Sequence, residues 1–512
     1  MGNAVEAIWT HATTRPEAVA LRVDGDEWTF GQLRNASQQW AARLLDAGVA
    51  PGDRVLLAGG TQADWVFAYH GVLAVGAIAV TVNPHSTEAE LGYFLHDCGA
   101  TLALVADATH DAVAAAAAEL DVPAWRLGEG ARDLPVPADL PRTVAPDSGA
   151  VIMYTSGTTG KPKGAQLTHH GIRGSAQSVI EAIEVTDDDH FGTALPLFHV
   201  FGQVTVMRTA YEAGVPITLM SKFDARALLE TAARHRVTLL AGVPTMWTAM
   251  ANAAPDIDDL DFSCLRLALS GGAGLPTKVA DQFDARYGCE ILAGYGLTET
   301  AGAGACPRVG APRKLGSAGV AWPGVELAIF DTERNPVPVG GTGEIAIRCE
   351  MNLKDYWNRP DATARAWHDD WFLTGDLGRM DEEGYLWVVD RIKDLIIRGG
   401  YNVYPKELED VLYSHPDILE AAVVGVPDDR LGEEIAAVIV LRDGREFDVT
   451  RMQEWMAERV AAYKTPRIYH VAAALPKGST GKILKREINR TDVSSRGHRT
   501  RKATASAPIP LA

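Results

Sequence analysis

Between about residues 50 and 300, short apolar runs alternate with longer amphipathic stretches, and few architectures satisfy that pattern. The runs 54–58, 102–106, 151–155, 217–220, 238–242, 265–270 and 290–293 have the length and branched aliphatic content of buried strands. The stretches 225–235 and 277–287 carry helical spacing. A strand covered on both faces reads as a continuous apolar run, and an intervening helix returns the chain for a parallel neighbour. The expectation is an α/β fold with parallel sheets. At 512 residues the chain also exceeds what one core accommodates, so it should divide.

The pattern changes after about residue 315. Runs 325–330, 343–348 and 385–389 are short strands separated by turn signals such as Asn335-Pro336 and Glu383-Gly384, which predicts antiparallel structure. From about Asp390 a smaller α+β unit is expected, with helices at 405–413 and 449–462 and strands at 420–426 and 435–441. Residues 491–512 are rich in Ser, Arg, Ala and Pro without apolar period, and the expectation there is a disordered tail.

Composition excludes several classes. The net charge is −18, whereas general nucleic-acid binders are usually basic, so no nucleic-acid partner is expected. An anionic ligand must then find local positive charge against the overall field. The five cysteines, Cys98, Cys264, Cys289, Cys306 and Cys349, form no C-x-x-C pair, which argues against zinc ribbons and fits a reducing compartment. The N-terminus lacks the pattern of a signal peptide, and the apolar run 71–82 is too short to span a bilayer. The expected location is the cytoplasm. Oligomeric state is not legible.

Four segments carry chemistry. The first, Tyr154-Thr-Ser-Gly-Thr-Thr-Gly-Lys-Pro-Lys-Gly164, follows an apolar strand. Glycines admit close approach of an anion, hydroxyls and backbone N–H groups can donate to it, and Lys161 and Lys163 add charge. It is not a Walker A loop, because only two residues separate Gly157 from Gly160 and Pro162 follows Lys161. A plain surface turn is the competing reading. In Gly294-Tyr-Gly-Leu-Thr-Glu-Thr300, Tyr295 can stack on a base, and Thr298 and Glu299 can reach a phosphate-bound Mg2+. Alone, such a Glu is usually a solvated loop residue. Thr374-Gly-Asp376 reads as a carboxylate in a tight turn, suited to ribose hydroxyls but also common for local reasons. Pro476-Lys-Gly-Ser-Thr-Gly-Lys482 places a lysine in a Gly/Ser loop.

In this order and spacing the segments resemble the acyl-adenylate-forming superfamily, which includes acyl-CoA synthetases, firefly luciferase and nonribosomal adenylation domains. The resemblance covers about residues 10–490. Segments 390–405 and 195–202 look like those of bacterial fatty-acyl-CoA and aryl-CoA ligases. The implied fold is a large N-terminal domain (1–391) of two doubly wound sheets plus a small β-barrel-like region. A small mobile α+β C-terminal domain (392–490) follows, then the tail (491–512).

The resemblance implies ATP, Mg2+ and coenzyme A, with a small-molecule carboxylic acid as partner. By it, Lys482 bridges the acid's carboxylate and the α-phosphate. Thr155, Ser156, Gly157, Thr158, Thr159, Gly160 and Lys163 clamp the outer phosphates, Glu299 helps hold Mg2+, and Thr298 contacts the α-phosphate. Asp376 and Arg391 hold the ribose, and Tyr295, between Gly294 and Gly296, stacks on adenine. Gly271, Gly272 and Ala273 give adenine and the acyl group close passage. His199 stands between acid and thiol sites, or is a structural histidine. Lys393 is the hinge, and Gly399 and Gly400 face the thiol. The segment Arg348-Cys-Glu-Met-Asn-Leu-Lys-Asp-Tyr356 stands where members of that superfamily tend to carry glycines near positions 349 and 355. The implied activity is ligation of a medium- or long-chain fatty acid or an aryl acid to coenzyme A. Carrier-protein loading and nitrite activation for N–N bond formation are the alternatives.

Overall fold

The computed structural model describes residues 2–129, 134–155, 161–254, 257, 259–478 and 483–500. The chain divides into two units: residues 1–374 with 379–387, and residues 375–378 with 388–512.

The larger unit is built on two seven-stranded sheets. The first runs, edge to edge, Ile291–Ala293, Leu267–Ser270, Leu239–Gly242, Phe191–Thr193, Ile217–Leu219, Val19–Val23, Asp26–Thr29. Its strands are parallel except for the last pair. The second runs Asp355–Tyr356, Lys163–Thr168, Gly149–Thr155, Ile78–Val82, Arg54–Ala58, Leu102–Val105, Ala124–Arg126. It is parallel from Gly149–Thr155 onward and antiparallel at the Lys163–Thr168 end. All seven expected strands are present, with ends within two residues of those expected. The run 71–82 divides between a buried helix, Ala63–Ala74, and the strand Ile78–Val82.

The central parallel strands bury nearly every side chain, as continuous apolar runs require: Leu267–Ser270 and Leu102–Val105 are buried throughout, whereas the edge strand Ala124–Arg126 is only partly buried. A core of Leu56, Val80, Leu91, Phe94, Val105 and Ile152 joins the second sheet to its helices. The region after residue 315 is antiparallel, as expected. A three-stranded sheet joins Tyr295–Gly296, Gly304–Cys306 and Val320–Ala321, and a five-stranded one includes Glu326–Phe330, Gly343–Arg348 and Trp371–Met380.

The smaller unit is α+β. Its long hairpin Ile418–Asp428 with Gly432–Leu441 packs Val423, Ile435 and Ile439 against helices Pro405–Tyr413 and Val449–Ala457. The expected irregular tail is corrected at its start. Residues Arg490–Arg496 form a helix capped by the Asn489 side chain, which accepts from the Asp492 N–H, and His498–Arg499 pairs with Ile468–Val471. A single apolar residue, Val493, buries this helix, too few for a period to show in sequence. Residues 501–512 lie outside the described residues.

Candidate active site

In the larger unit the site forms where parallel strands end. Strand Gly149–Thr155 delivers Thr155, and Lys163 opens the returning strand, directly opposite Thr155 in register. Ser156, Gly157, Thr158, Thr159 and Gly160, the tip between them, lie outside the described residues. In the other sheet, strand Ile291–Ala293 ends at Gly294. Tyr295–Gly296 then pairs with Gly304–Cys306, and Thr298–Thr300 makes one helical turn. Gly296 is demanded by that pairing, since a Cβ there would lie 2.1 Å from the Gly302 carbonyl oxygen. Ala301, buried and left-handed at φ +53°, reverses the chain immediately after Glu299.

These elements converge on Glu299. Its Oε1 accepts from Thr155 Oγ1 at 3.0 Å and from the Tyr356 hydroxyl at 3.0 Å, and its backbone oxygen accepts from the Leu353 N–H at 2.6 Å. Lys163 Nζ sits 4.0 Å from the centroid of the same tyrosine ring. Burial, then the neighbouring Glu299 charge, raise the Tyr356 phenol well above its usual range, so it stays a donor. Burial lowers the Lys163 ammonium, against the opposing pull of Glu299. Tyr356 was not singled out from sequence. It reaches Glu299 only because Asp355–Tyr356 adds an edge strand to Lys163–Thr168.

The donor set fits Mg2+. Among the described residues, no cluster of three or more potential metal-ligating side chains exists, and none donates to Glu299 Oε2. One carboxylate oxygen with phosphate oxygens is the sparse, oxygen-only company this ion keeps.

Beside Glu299 an apolar cavity of about 70 Å³ opens, lined by His199, Phe201, Gly271, Gly272, Tyr295 and Trp322 among others. His199 lies in the turn before a π-helix, Phe201–Arg208, a rare form frequent at functional sites. A Cβ on Gly271 would stand 3.2–3.4 Å from the Phe201 ring, a tight contact. Gly272 has φ +81°. Ala273 is exposed and does not line the cavity. Thr298 occupies the same turn as Glu299.

In the smaller unit, Arg391 Nε stands 3.3 Å from Asp376 Oδ1. Thr374, Gly375 and Asp376 lie inside the strand Trp371–Met380, not in a tight turn; Gly375 at φ +74° kinks it locally. Lys393 follows Arg391 in a single helical turn, its ammonium lowered by burial and then by Arg391. Gly399 and Gly400 form the two-residue loop between strands Ile396–Arg398 and Tyr401–Val403, at φ +58° and +84°. Such tight hairpins need positive φ at both positions. Lys482 lies outside the described residues, in a segment whose flanks, Lys477 and Ile483, pair as an antiparallel bridge.

The chain belongs to the AMP-binding enzyme family: residues 8–357 match the model described as AMP-binding enzyme, and 407–482 match the AMP-binding enzyme C-terminal domain. It is 39% identical to a feruloyl-CoA synthase from an Amycolatopsis species, over 94% of this chain and 97% of that one. A long-chain-fatty-acid–CoA ligase of Bacillus subtilis is 32% identical over 95% and 94%. Among solved structures, an anthranilate CoA ligase in complex with anthranoyl-AMP superposes with TM-score 0.88 at 28% identity, covering 96% and 97%. No helix among the described residues is long and apolar enough to cross a membrane.

Proposed function

We propose that this protein is an AMP-forming acid–CoA ligase that activates an apolar carboxylic acid, fatty or aryl, through its acyl-adenylate. The observation that carries the reading is the convergence of Thr155, Lys163 and Tyr356 on Glu299, beside an apolar cavity floored by glycine. In the first half-reaction the acid's carboxylate oxygen attacks the α-phosphorus of ATP and pyrophosphate leaves. In the second, the thiol of coenzyme A attacks the acyl carbon and AMP leaves.

Two anions must meet in the first step, so the chain's work is neutralisation and alignment. Lys163 and the loop 155–164 hold the outer phosphates, and Thr298 meets the α-phosphate. Glu299 would hold Mg2+, which would offset phosphate charge. Asp376 and Arg391 take the ribose hydroxyls and Tyr295 the adenine face. Lys482 bridges the two reacting groups. For the second step, rotation at Lys393 withdraws Lys482 and brings the Gly399–Gly400 loop to the thiol, with His199 between acid and thiol. The two curated relatives described above support this reading, since both are named for joining an acid to coenzyme A.

The test is pyrophosphate release across fatty and aryl acids, with and without coenzyme A, with products read by mass spectrometry. Thioester and AMP in equal amounts are expected. AMP formation without any coenzyme-A-dependent product would overturn the reading in favour of another acceptor.

A further inference from the structure

The three residues that gather on Glu299 are tied together a second time, from behind, at Asp97. Asp97 lies in the last turn of helix Glu88–Cys98, where the helix dipole disfavours a carboxylate, yet its side chain is only 6% exposed. Residues from two other segments take both of its oxygens. Oδ2 accepts from the Tyr154 hydroxyl at 2.9 Å, and Oδ1 accepts from Arg359 Nη2 at 2.5 Å. The same Arg359 nitrogen donates to the Tyr93 hydroxyl at 3.3 Å, and that hydroxyl donates to the Pro162 carbonyl at 2.7 Å. Asn358, left-handed at φ +52°, donates from Nδ2 to the Asp97 backbone oxygen at 3.3 Å.

Each of these partners adjoins one of the residues on Glu299. Tyr154 immediately precedes Thr155, and Pro162 immediately precedes Lys163. Arg359 lies three residues past Tyr356 and donates its N–H to the Tyr356 backbone oxygen at 2.9 Å. Adjacent residues of a strand face opposite ways, so holding Tyr154 on one face aims Thr155 at the other. Ring contacts hold the same side. Tyr154 packs on Phe94 with centroids 4.5 Å apart, and Lys161 Nζ lies 6.0 Å from the Tyr93 ring centroid. An exposed ion pair would hold little, but this carboxylate is buried and shared among segments that meet nowhere in sequence.

Resting on the acid-activation reading above, we propose that Asp97, with Tyr93, Tyr154 and Arg359, is a positioning network for the adenylation half-reaction. It acts through Thr155, Lys163 and Tyr356 rather than by contact with the reacting atoms. Asp97 fixes the limb that delivers Thr155 and the segment that delivers Tyr356, and Tyr93 fixes the limb that delivers Lys163. Without the shared carboxylate, the two donors no longer arrive at the same oxygen of Glu299 together. Misplacement of about 1 Å at a site that aligns phosphates costs on the order of 10²-fold in rate.

The experiment measures kcat and KM for MgATP in pyrophosphate release, with the best substrate from the panel of fatty and aryl acids, beside single-turnover thioester formation from the matching acyl-AMP. The variants are Asp97→Ala, Tyr154→Phe and Tyr93→Phe, and Tyr154→Phe combined with Tyr356→Phe. Asp97→Ala should lower kcat/KM for MgATP by ~10–100-fold. The two phenylalanine variants lose one hydroxyl and keep the ring, and should each lose ~3–10-fold. KM for the acid and thioester formation should stay within about threefold of native. Because Tyr154 and Tyr356 act through the same carboxylate of Glu299, the double variant should lose less than the product of its two single losses. Should Asp97→Ala fail to melt cooperatively, the phenylalanine variants decide alone. Equal losses in both half-reactions, losses that multiply, or a lowered melting temperature with native kinetics overturn the proposal and leave acid activation standing. A native chain that melts cooperatively yet activates no acid overturns the acid-activation reading and this inference with it.

Discussion

Replacing Tyr356 by phenylalanine removes one hydroxyl from the carboxylate of Glu299 and little else. The ring that Lys163 rests on, 4.0 Å away, stays in place. A hydrogen bond to a charged group contributes about 1.5–3 kcal/mol. Glu299 is half-buried and keeps the Thr155 donor on the same oxygen, so about 1–2 kcal/mol is expected here. In rate terms that is roughly 5–30-fold in kcat/KM for adenylation. Because the carboxylate loses a positioning partner, the Mg2+ concentration for half-maximal rate should rise as well. Thioester formation from supplied acyl-AMP and coenzyme A should change by less than about threefold, on the premise that it needs no metal-bound pyrophosphate. The assay is pyrophosphate release titrated with Mg2+, beside single-turnover thioester formation. Equal losses in both half-reactions, or an unshifted Mg2+ requirement, would refute the positioning argument.

Lys482→Ala should cut adenylation by ~10²–10³-fold while sparing thioester formation from supplied acyl-AMP, the scale of one lost transition-state donor; equal loss in both sinks its assignment. Lys393→Pro fixes φ near −65° and should preserve ATP–pyrophosphate exchange while acyl-AMP accumulates and thioester formation fails; proportional loss counts against rotation there. Truncation after Ile488 removes Val493 from the core it shares with Val424 and Ile468, and should lower the melting temperature of the smaller unit; an unchanged melting temperature would show that the helix contributes no packing. Burial depresses His70 to about 3 and His169 and His190 to about 4. Unfolding therefore takes up protons between pH 6.5 and about 4, and stability falls with acidification there, at most about 4 kcal/mol per pH unit for the three together. Unfolding free energy measured against pH, with His190→Gln lowering the slope by about a third, checks it; a flat profile refutes it.

The parallel sheets were legible because their strands are uninterrupted apolar runs. The strands that sequence reading missed are short or mixed: Phe191–Thr193 has three residues, and Lys163–Thr168 opens on a lysine that belongs to the site. Local spacing made one feature of the candidate site legible, the place of Glu299 in a turn after a strand. The site was illegible where chemistry depends on distant segments meeting. Tyr356 reaches Glu299 from the far edge of the other sheet. The tail helix escaped notice because one valine anchors it.

The position of Val19–Val23 in the first sheet sets a timetable for biosynthesis. Its parallel partner, Ile217–Leu219, leaves the ribosome about 190 residues later. At 5–20 residues per second that is a wait of roughly 10–40 s. Throughout it, Leu21 and Val23, fully or almost fully buried in the finished sheet, have of their two sheet partners only the hairpin strand Asp26–Thr29. A two-stranded hairpin is marginal alone. The nascent chain thus carries a bare apolar edge until nearly half of it is made, and any fragment ending before residue 217 keeps that edge for good.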